Sequence, residues 1–373
     1  MAKVSIKQTI SRALVVSAVL VTCGANADDG LQDVMREAGD TMLMMLPAMR
    51  TNDTSVLTPG AGQLSALFRR ARPHFEEGSP ATLAAFELLQ ARLADATDNP
   101  YNARTSLAEA FELCAGCHVQ DTRIAPAFGV SRLHELNEYE AGEFSYLTRD
   151  YPAAMVSFGR VVETFKDRRD RRNALDRILV MSIGIAPNLA TGLVVLEDLL
   201  TSGHLSDEET RLVEGWLQVI RPLASEPDQR QSPLRHSTIP AMDHYMTREW
   251  PSFKQFVSLD GQQVYWVLIR AQLHELLREN ASSPQVPRLL YWLSVSDRGL
   301  HYRFDNSLSS RYLERCMTEY TAHPYARTCF EEYQLLMTVA FSGSGGIFLS
   351  QEEYERINRF RQLVFGNFSG SGL

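Results

Sequence analysis

Apolar side chains recur at spacings of three and four along most of this chain, and stretches that alternate apolar with polar residues are rare. Spacings of three and four define one face of an α-helix, so the chain reads as all-α. Proline and glycine punctuate the long amphipathic stretches, and four of these fill residues 31–121. The first runs from Leu31 to Met49 and ends in the polar run Arg50-Thr51-Asn52-Asp53. The second runs from Gln63 to Phe75. The third opens at Ser79-Pro80, a capping serine with proline at the first helical position, and reaches Ala96. The fourth runs from Ala103 to His118. Four helices with short connections predict an antiparallel bundle over residues 28–123.

The pattern breaks at Ile124-Ala125-Pro126-Ala127-Phe128-Gly129, which predicts a linker over 124–136. Beyond it Gly142, Tyr151, Ala154 and Phe158 fall at spacings of nine, three and four. This resembles a tetratricopeptide repeat, in which a small residue on one helix packs against an Ala-x-x-x-Phe face on the next. Asp150-Tyr151-Pro152 reads as the turn between them. Ala190, 36 residues after Ala154, with Val194 and Leu196 reads as a degenerate second copy. Ser206-Asp207-Glu208-Glu209 is a capping box that opens another helix through Val219. The repeat-like region is thus expected over 137–222.

Residues 223–240 are polar and bear prolines, so they read as a hinge into a C-terminal helical domain at 241–368. Helices are expected there at 261–279, 286–297, 308–321, 325–341 and 350–365, the last opened by a capping box from Ser350 to Glu353. Tyr320-Thr321-Ala322-His323-Pro324-Tyr325-Ala326 resembles the junction between tetratricopeptide helices. Ser342 to Gly346 reads as a break, and 369–373 as a flexible tail. Tyr245, Trp250, Tyr265, Trp266, Tyr291 and Trp292 make this third region aromatic, as core packing would.

The N-terminus changes the picture. Lys3, Lys7 and Arg12 precede an apolar run from Ala13 to Val21, too short for a membrane span, and Ala25-Asn26-Ala27 is a small-x-small cleavage site. Residues 1–27 are therefore expected to be a cleaved signal peptide that sends the chain to the periplasm. A lipoprotein anchor on Cys23 fits less well, because Thr22 stands where a smaller residue is usual. Cleavage would remove three cations and no acid, taking the net charge from −8 to −11. An acidic chain is a poor partner for nucleic acid and suits basic proteins. No later stretch is long and apolar enough to span a membrane. Only Lys166 and Lys254 are lysines after cleavage, so the positive charge is nearly all arginine.

Four cysteines remain. Cys316 and Cys329, on helices flanking one junction, are expected to form a disulfide in an oxidising compartment. The other two belong to Cys114-Ala115-Gly116-Cys117-His118, the spacing of covalent attachment of one c-type haem. Each thiol adds across one vinyl group on the same edge of the porphyrin, and His118 is the proximal iron ligand. Ala115 and Gly116 are small enough to let the ring lie close.

A haem motif at the end of the last of four helices, with a methionine-rich first helix, resembles the cytochrome c prime family, the class II c-type cytochromes. The resemblance covers about a quarter of the chain, residues 31–123. The family usually has a basic residue four positions after the haem histidine; here that position is Thr122, and Arg123 follows. Met35, Met42, Met45 and Met49 share one helical face, while Met44 does not fall on that spacing. The resemblance implies that this face points at the distal side of the haem. Met42, then Met35, is the candidate distal ligand, and a five-coordinate iron is the alternative. The same stripe also suits ordinary packing. Arg36 is the nearest basic residue for a propionate, and His74 is a further ligand candidate.

Other constellations are thin. His236 and His244 lie near Asp243, and His204 near Asp207, without the spacing of a helical metal site. There is no glycine-rich phosphate loop, no Gly-x-Ser-x-Gly elbow and no second haem motif. The expected function is electron transfer, without catalytic residues, to or from a redox partner docked on the helical repeats. A five-coordinate haem protein that binds nitric oxide or carbon monoxide is the alternative. A peroxidase would need a distal base, and the first helix offers none. An assembly factor would use the repeats and leave the haem incidental. Oligomeric state is not legible.

Overall fold

The computed structural model describes residues 29–76, 79–120, 135–185, 188–225, 232–255, 259–300, 307–343 and 346–366. The fold is all-α: the described residues form fifteen α-helices, one 3-10 turn and a two-residue β-hairpin. Helices α1 (Asp29–Thr51), α2 (Thr54–Glu76), α3 (Pro80–Asp98) and α4 (Ala103–Gln120) each pack on the next, and α2 also packs on α4. The α1–α2 corner is turned by Asn52, whose φ of 56° asparagine tolerates better than most residues. The other neighbour of α1 is α5 (Glu138–Leu147).

From α5 the chain continues as a succession in which each helix lies on the one before. These are α6 (Tyr151–Thr164), α7 (Arg168–Ile183), α8 (Leu189–Thr201) and α9 (Asp207–Ser225). Their ends are set by side chains that satisfy the free amides of each first turn. Asn137 and Glu140 form a reciprocal capping box on α5, and Asp150 accepts from the Ala153 amide of α6. The expected box on α9 is present: Glu209 accepts from the Ser206 amide at 2.8 Å, and the Ser206 hydroxyl accepts from the Glu209 amide. Gly142 is the tight point of the α5–α6 hairpin. A β-carbon there would stand 2.7 Å from the Phe158 ring, and Ala154 and Phe158 are fully buried. The phase expected for a second copy is not found. Ala190 and Val194 face outward, and α8 buries Gly192, Val195, Leu196 and Leu199 instead.

The C-terminal part comprises α10 (Ile239–Gln255), α11 (Leu259–Glu279), α12 (Val286–Leu300), α13 (Ser307–Glu319), α14 (Tyr325–Ala340) and α15 (Gln351–Phe365). Helix α10 fills the stretch between the expected hinge at 223–240 and the first helix expected beyond it, at 261, where the sequence pattern predicted none. Its turn at Pro240 does not break it, because Pro240 is in the first turn and Ile239, Met242, Tyr245 and Met246 form a buried stripe. Helix α9 also runs further than expected, to Ser225 with Pro222 inside it. Where a break was expected after Phe341, strands β1 (Ser342–Gly343) and β2 (Gly346–Ile347) pair antiparallel.

Two apolar cores result. The larger runs without interruption from Val34 on α1 to Leu268 on α11, taking in α1–α9. The smaller gathers α10–α15 and includes Ala81 and Ala84 from α3. Helix α3 is packed directly on α13, and α11 touches both α4 and α7. The C-terminal helices are thus built onto the first four rather than only following them. Tyr245, Trp266, Tyr291 and Trp292 are all buried in the smaller core, so those aromatics are packing residues. Among the described residues no helix is long and apolar enough to cross a membrane.

Candidate functional site

Helix α4 is unbroken from Ala103 to Gln120. Residues 114, 117 and 118 therefore fall at i, i+3 and i+4, on one helical face. Cys114 is buried, with Leu107, Ala110 and Phe111 on the turns before it and Ala115 beside it. The side chains of Cys117 and His118 lie outside the described residues, as do Thr122 and Arg123 and the whole of 121–134. Helices α3 and α4 are antiparallel in a register fixed by two polar pairs, Asp95 with Ser106 and Arg92 with Glu109. Carried along the helices, that register sets residues 81–88 beside 113–120. Ala81 and Ala84, which join the C-terminal core, therefore stand level with the haem-type motif.

The methionine face is where the spacing put it. Met35, Met42 and Met45 are buried in the core shared with Cys114, Met49 is half-buried, and Met44 is exposed. Met45 is committed to packing: its sulfur would be 2.6 Å from a β-carbon at Gly60, so the glycine is a notch for it. This also explains why α2 begins at Thr54, earlier than the expected Gln63. Pro59-Gly60-Ala61-Gly62 reads as a breaker, yet Leu57, Gly60, Ala61 and Leu64 are one buried face, and Asp53 starts the helix by accepting from the Ser55 amide. Arg36 is exposed and pairs with Asp33 on its own helix, and His74 is half-buried.

A feature that the sequence did not single out lies on another face of α4. Arg177 of α7 forks onto Glu112 of α4 and onto Glu143 of α5, with bonds of 3.0 Å to Glu112 and 3.1 Å to Glu143. Its guanidinium also lies 4.5 Å from the centre of the Tyr146 ring. Burial pushes the Glu143 carboxyl up, and Arg177 opposes it. Nearby, Tyr139 accepts from Asn173 at 3.1 Å. Arg270 of α11 pairs with Asp297 of α12 at 3.0 Å. One turn beyond Arg270 is His274, 6% exposed, whose Nε2 has no hydrogen-bond partner. The signal in the sequence is weak: a charged residue next to a buried stripe, as Arg177 is next to Ile178, is ordinary on a surface helix.

The remaining candidates are placed plainly. Asp243 accepts from Trp292 Nε1 at 2.8 Å, from Arg288 and from the Tyr325 hydroxyl, so it is a packing node of α10, α12 and α14. His236 stacks on Tyr245, while His244, His204 and Asp207 are exposed. Among the described residues no group of three or more His, Cys, Asp or Glu is arranged to hold a metal ion. The Cys316 and Cys329 sulfurs are bonded, joining α13 to α14 with their Cα atoms 6.4 Å apart. No family model, no curated protein and no solved structure matches this chain.

Proposed function

We propose that the chain is an exported, periplasmic monohaem c-type cytochrome that exchanges electrons with a partner protein docked on its helical hairpins. The observation that carries this reading is the placement of positions 114, 117 and 118 on one face of an unbroken helix. That donor set fits haem c: two thiols a turn apart suit two vinyl groups on one ring edge, and the adjacent imidazole of His118 suits the iron. Bound there, the haem would supply a ferric/ferrous couple. Cys114, Leu107, Ala110 and Phe111 offer a dry wall for it, and Met42 and Met35 are thioethers in the same core.

The remaining residues need do no acid or base chemistry. Arg177 holds α4 against α5 and α7, which fixes the motif relative to the hairpins on which a partner would dock. The acidic balance of the chain favours a basic partner surface.

The test is an absorption spectrum of the purified, exported protein, oxidised, then reduced with and without carbon monoxide. Alkaline pyridine should report one haem c per chain, and Cys114→Ala with Cys117→Ala should abolish covalent attachment. A low-spin spectrum indifferent to carbon monoxide is the result expected of an electron carrier. A high-spin spectrum that shifts with carbon monoxide would make the protein a gas binder. The absence of covalent haem would end the proposal.

A further inference from the structure

The start of α14 joins three rings and one carboxylate into a contiguous group. The Tyr325 hydroxyl donates to Oδ1 of Asp243, and the Trp292 indole Nε1 donates to the same oxygen at 2.8 Å. Arg288 holds the other oxygen, Oδ2, and its guanidinium lies 5.4 Å from the centre of the Tyr325 ring. Tyr291 links the two rings: its centre is 5.6 Å from that of Tyr325 and 4.7 Å from that of Trp292, edge to face in both cases. Trp292 and Tyr291 are buried, while Tyr325 is half-buried. The Cys316–Cys329 bond fixes this end of α14, since Cys329 is one turn after Tyr325 and the Cys316 sulfur is 3.6 Å from the Tyr325 carbonyl oxygen.

A phenol that loses an electron also loses its proton, and a base already bonded to the hydroxyl eases that loss. Tyr333, whose buried hydroxyl has no partner, lacks such a base. Burial and the bond to Asp243 push the Tyr325 phenol above its ordinary value, so it keeps its proton until an electron leaves. We propose that Tyr325 is a one-electron donor to peroxyl-class radicals at the protein surface, with Asp243 as its proton acceptor. The electron passes from the Tyr325 ring to the peroxyl radical, which takes a proton from solvent and becomes a hydroperoxide. The O–H bond of Tyr325 breaks, and its proton forms an O–H bond on Asp243 Oδ1, which then donates back to the phenoxyl oxygen. An electron from ascorbate reverses both changes in the tyrosine and the carboxyl. Trp292 and Tyr291 extend the site inward. A vacancy formed on the indole drains to Tyr325, because an oxidised phenol is a much stronger acid than an oxidised indole. The site needs no haem and is independent of the function proposed above.

The experiment uses the full exported chain, oxidised beforehand so that any bound haem is ferric. Photogenerated tris(bipyridine)ruthenium(III) is the one-electron oxidant, and the sample is frozen for electron paramagnetic resonance. The wild type should give a tyrosyl signal that narrows when its tyrosines are ring-deuterated. Tyr325→Phe should abolish most of that signal, with helical circular dichroism unchanged. An equal signal in Tyr325→Phe overturns the proposal. Asp243→Asn should slow formation of the radical, and an unchanged rate overturns the role of Asp243. Should Asp243→Asn fail to fold, the wild-type rate decides: transfer to an internal carboxylate gives a rate flat across neutral pH, whereas a rate that rises with pH means transfer to bulk base and overturns that role. Ascorbate should erase the signal and return protein of unaltered mass. Under peroxyl radicals from a thermal azo initiator, Tyr325→Phe should lose its native circular dichroism faster than the wild type. Equal loss in the two proteins would make Tyr325 a site of damage and not of protection, and so overturns the proposal.

Discussion

Two interfaces of the first four helices show opposite ways of holding a helix in place. Where α1 meets α2, the buried contact is apolar and close, with Met45 lying in the notch at Gly60 and Leu57, Ala61 and Leu64 beside it, and an ion pair between them, Arg70 with Glu37, is exposed. Where α4 meets α5 and α7, Arg177 carries the contact, forked between Glu112 and Glu143 with Tyr146 against its face. The first interface is forgiving, because a thioether can repack around a change of shape. The second is unforgiving, because removing one partner leaves partly buried charge without compensation. The contrast puts the less tolerant interface on the helix that bears the Cys-x-x-Cys-His motif.

The largest effect should come from breaking that node. Arg177→Met strands two partly buried carboxylates, and we expect a loss of about 3 kcal/mol or a little more, the lower end for a buried pair, read as the midpoint of urea unfolding. Adding Glu112→Gln and Glu143→Gln should recover most of the loss, since the stranded charges are then gone. If the triple variant is no better than the single one, packing rather than charge governs the seam. The C-terminal part offers a covalent counterpart. Opening the Cys316–Cys329 bond, whose ends are 13 residues apart, should cost about 3 kcal/mol, read as the shift of the urea midpoint on reduction.

The polar side of the comparison also predicts a pH dependence, carried by a second arginine fork. Arg171 donates to both oxygens of Glu209, at 2.8 and 2.6 Å, and to the His204 carbonyl. Burial pushes the Glu209 carboxyl up, but the bonds from Arg171 and Ser206 outweigh it and hold the pKa down to about 2, against an ordinary 4.5. A carboxyl whose pKa is lowered on folding stabilises the fold above its unfolded value. Its contribution of about 2 kcal/mol should be present at neutral pH and be lost as pH falls from 4.5 towards 2. Glu209→Gln should flatten that part of the stability profile. A profile unchanged by the substitution would assign the acid sensitivity to other carboxyls.

Much of the architecture was legible because it depends on local period and caps. The all-α class, the starts of α3, α9 and α15 at their serine caps, and the face shared by Met35, Met42 and Met45 all follow from spacings within one helix. The misses have a common cause. At Pro59-Gly60 and at Ile239-Pro240 the local signal is that of a helix breaker, whereas tertiary packing uses the glycine as a notch and accommodates the proline in a first turn. The outward phase of Ala190 and Val194 is a similar case, since a degenerate spacing does not say which face the neighbouring helix covers. The ionic partners of α4 were illegible for a different reason. Glu112, Glu143 and Arg177 are far apart in sequence, and a charge acquires its meaning there only from the partner it meets.

The smallest expected effect tests the forgiving side. A methyl group at Gly60 would sit 2.6 Å from the Met45 sulfur, so one of the two must move. Replacing a glycine inside a helix with alanine gains about 0.5–1 kcal/mol in backbone entropy. Overpacking a core typically costs about 1–3 kcal/mol, and a flexible thioether should bring that to its lower end. Gly60→Ala should therefore lose no more than about 1 kcal/mol in the wild-type background. In a Met45→Ala background the obstruction is gone, and the same change should instead gain about 0.5 kcal/mol. That change of sign, read as a coupling energy in a double-mutant cycle, isolates the notch from helix propensity. A Gly60→Ala loss of the size expected for Arg177→Met, with no coupling to Met45, would mean that α1 and α2 are held as rigidly as the charged seam. The difference between the two interfaces would then disappear.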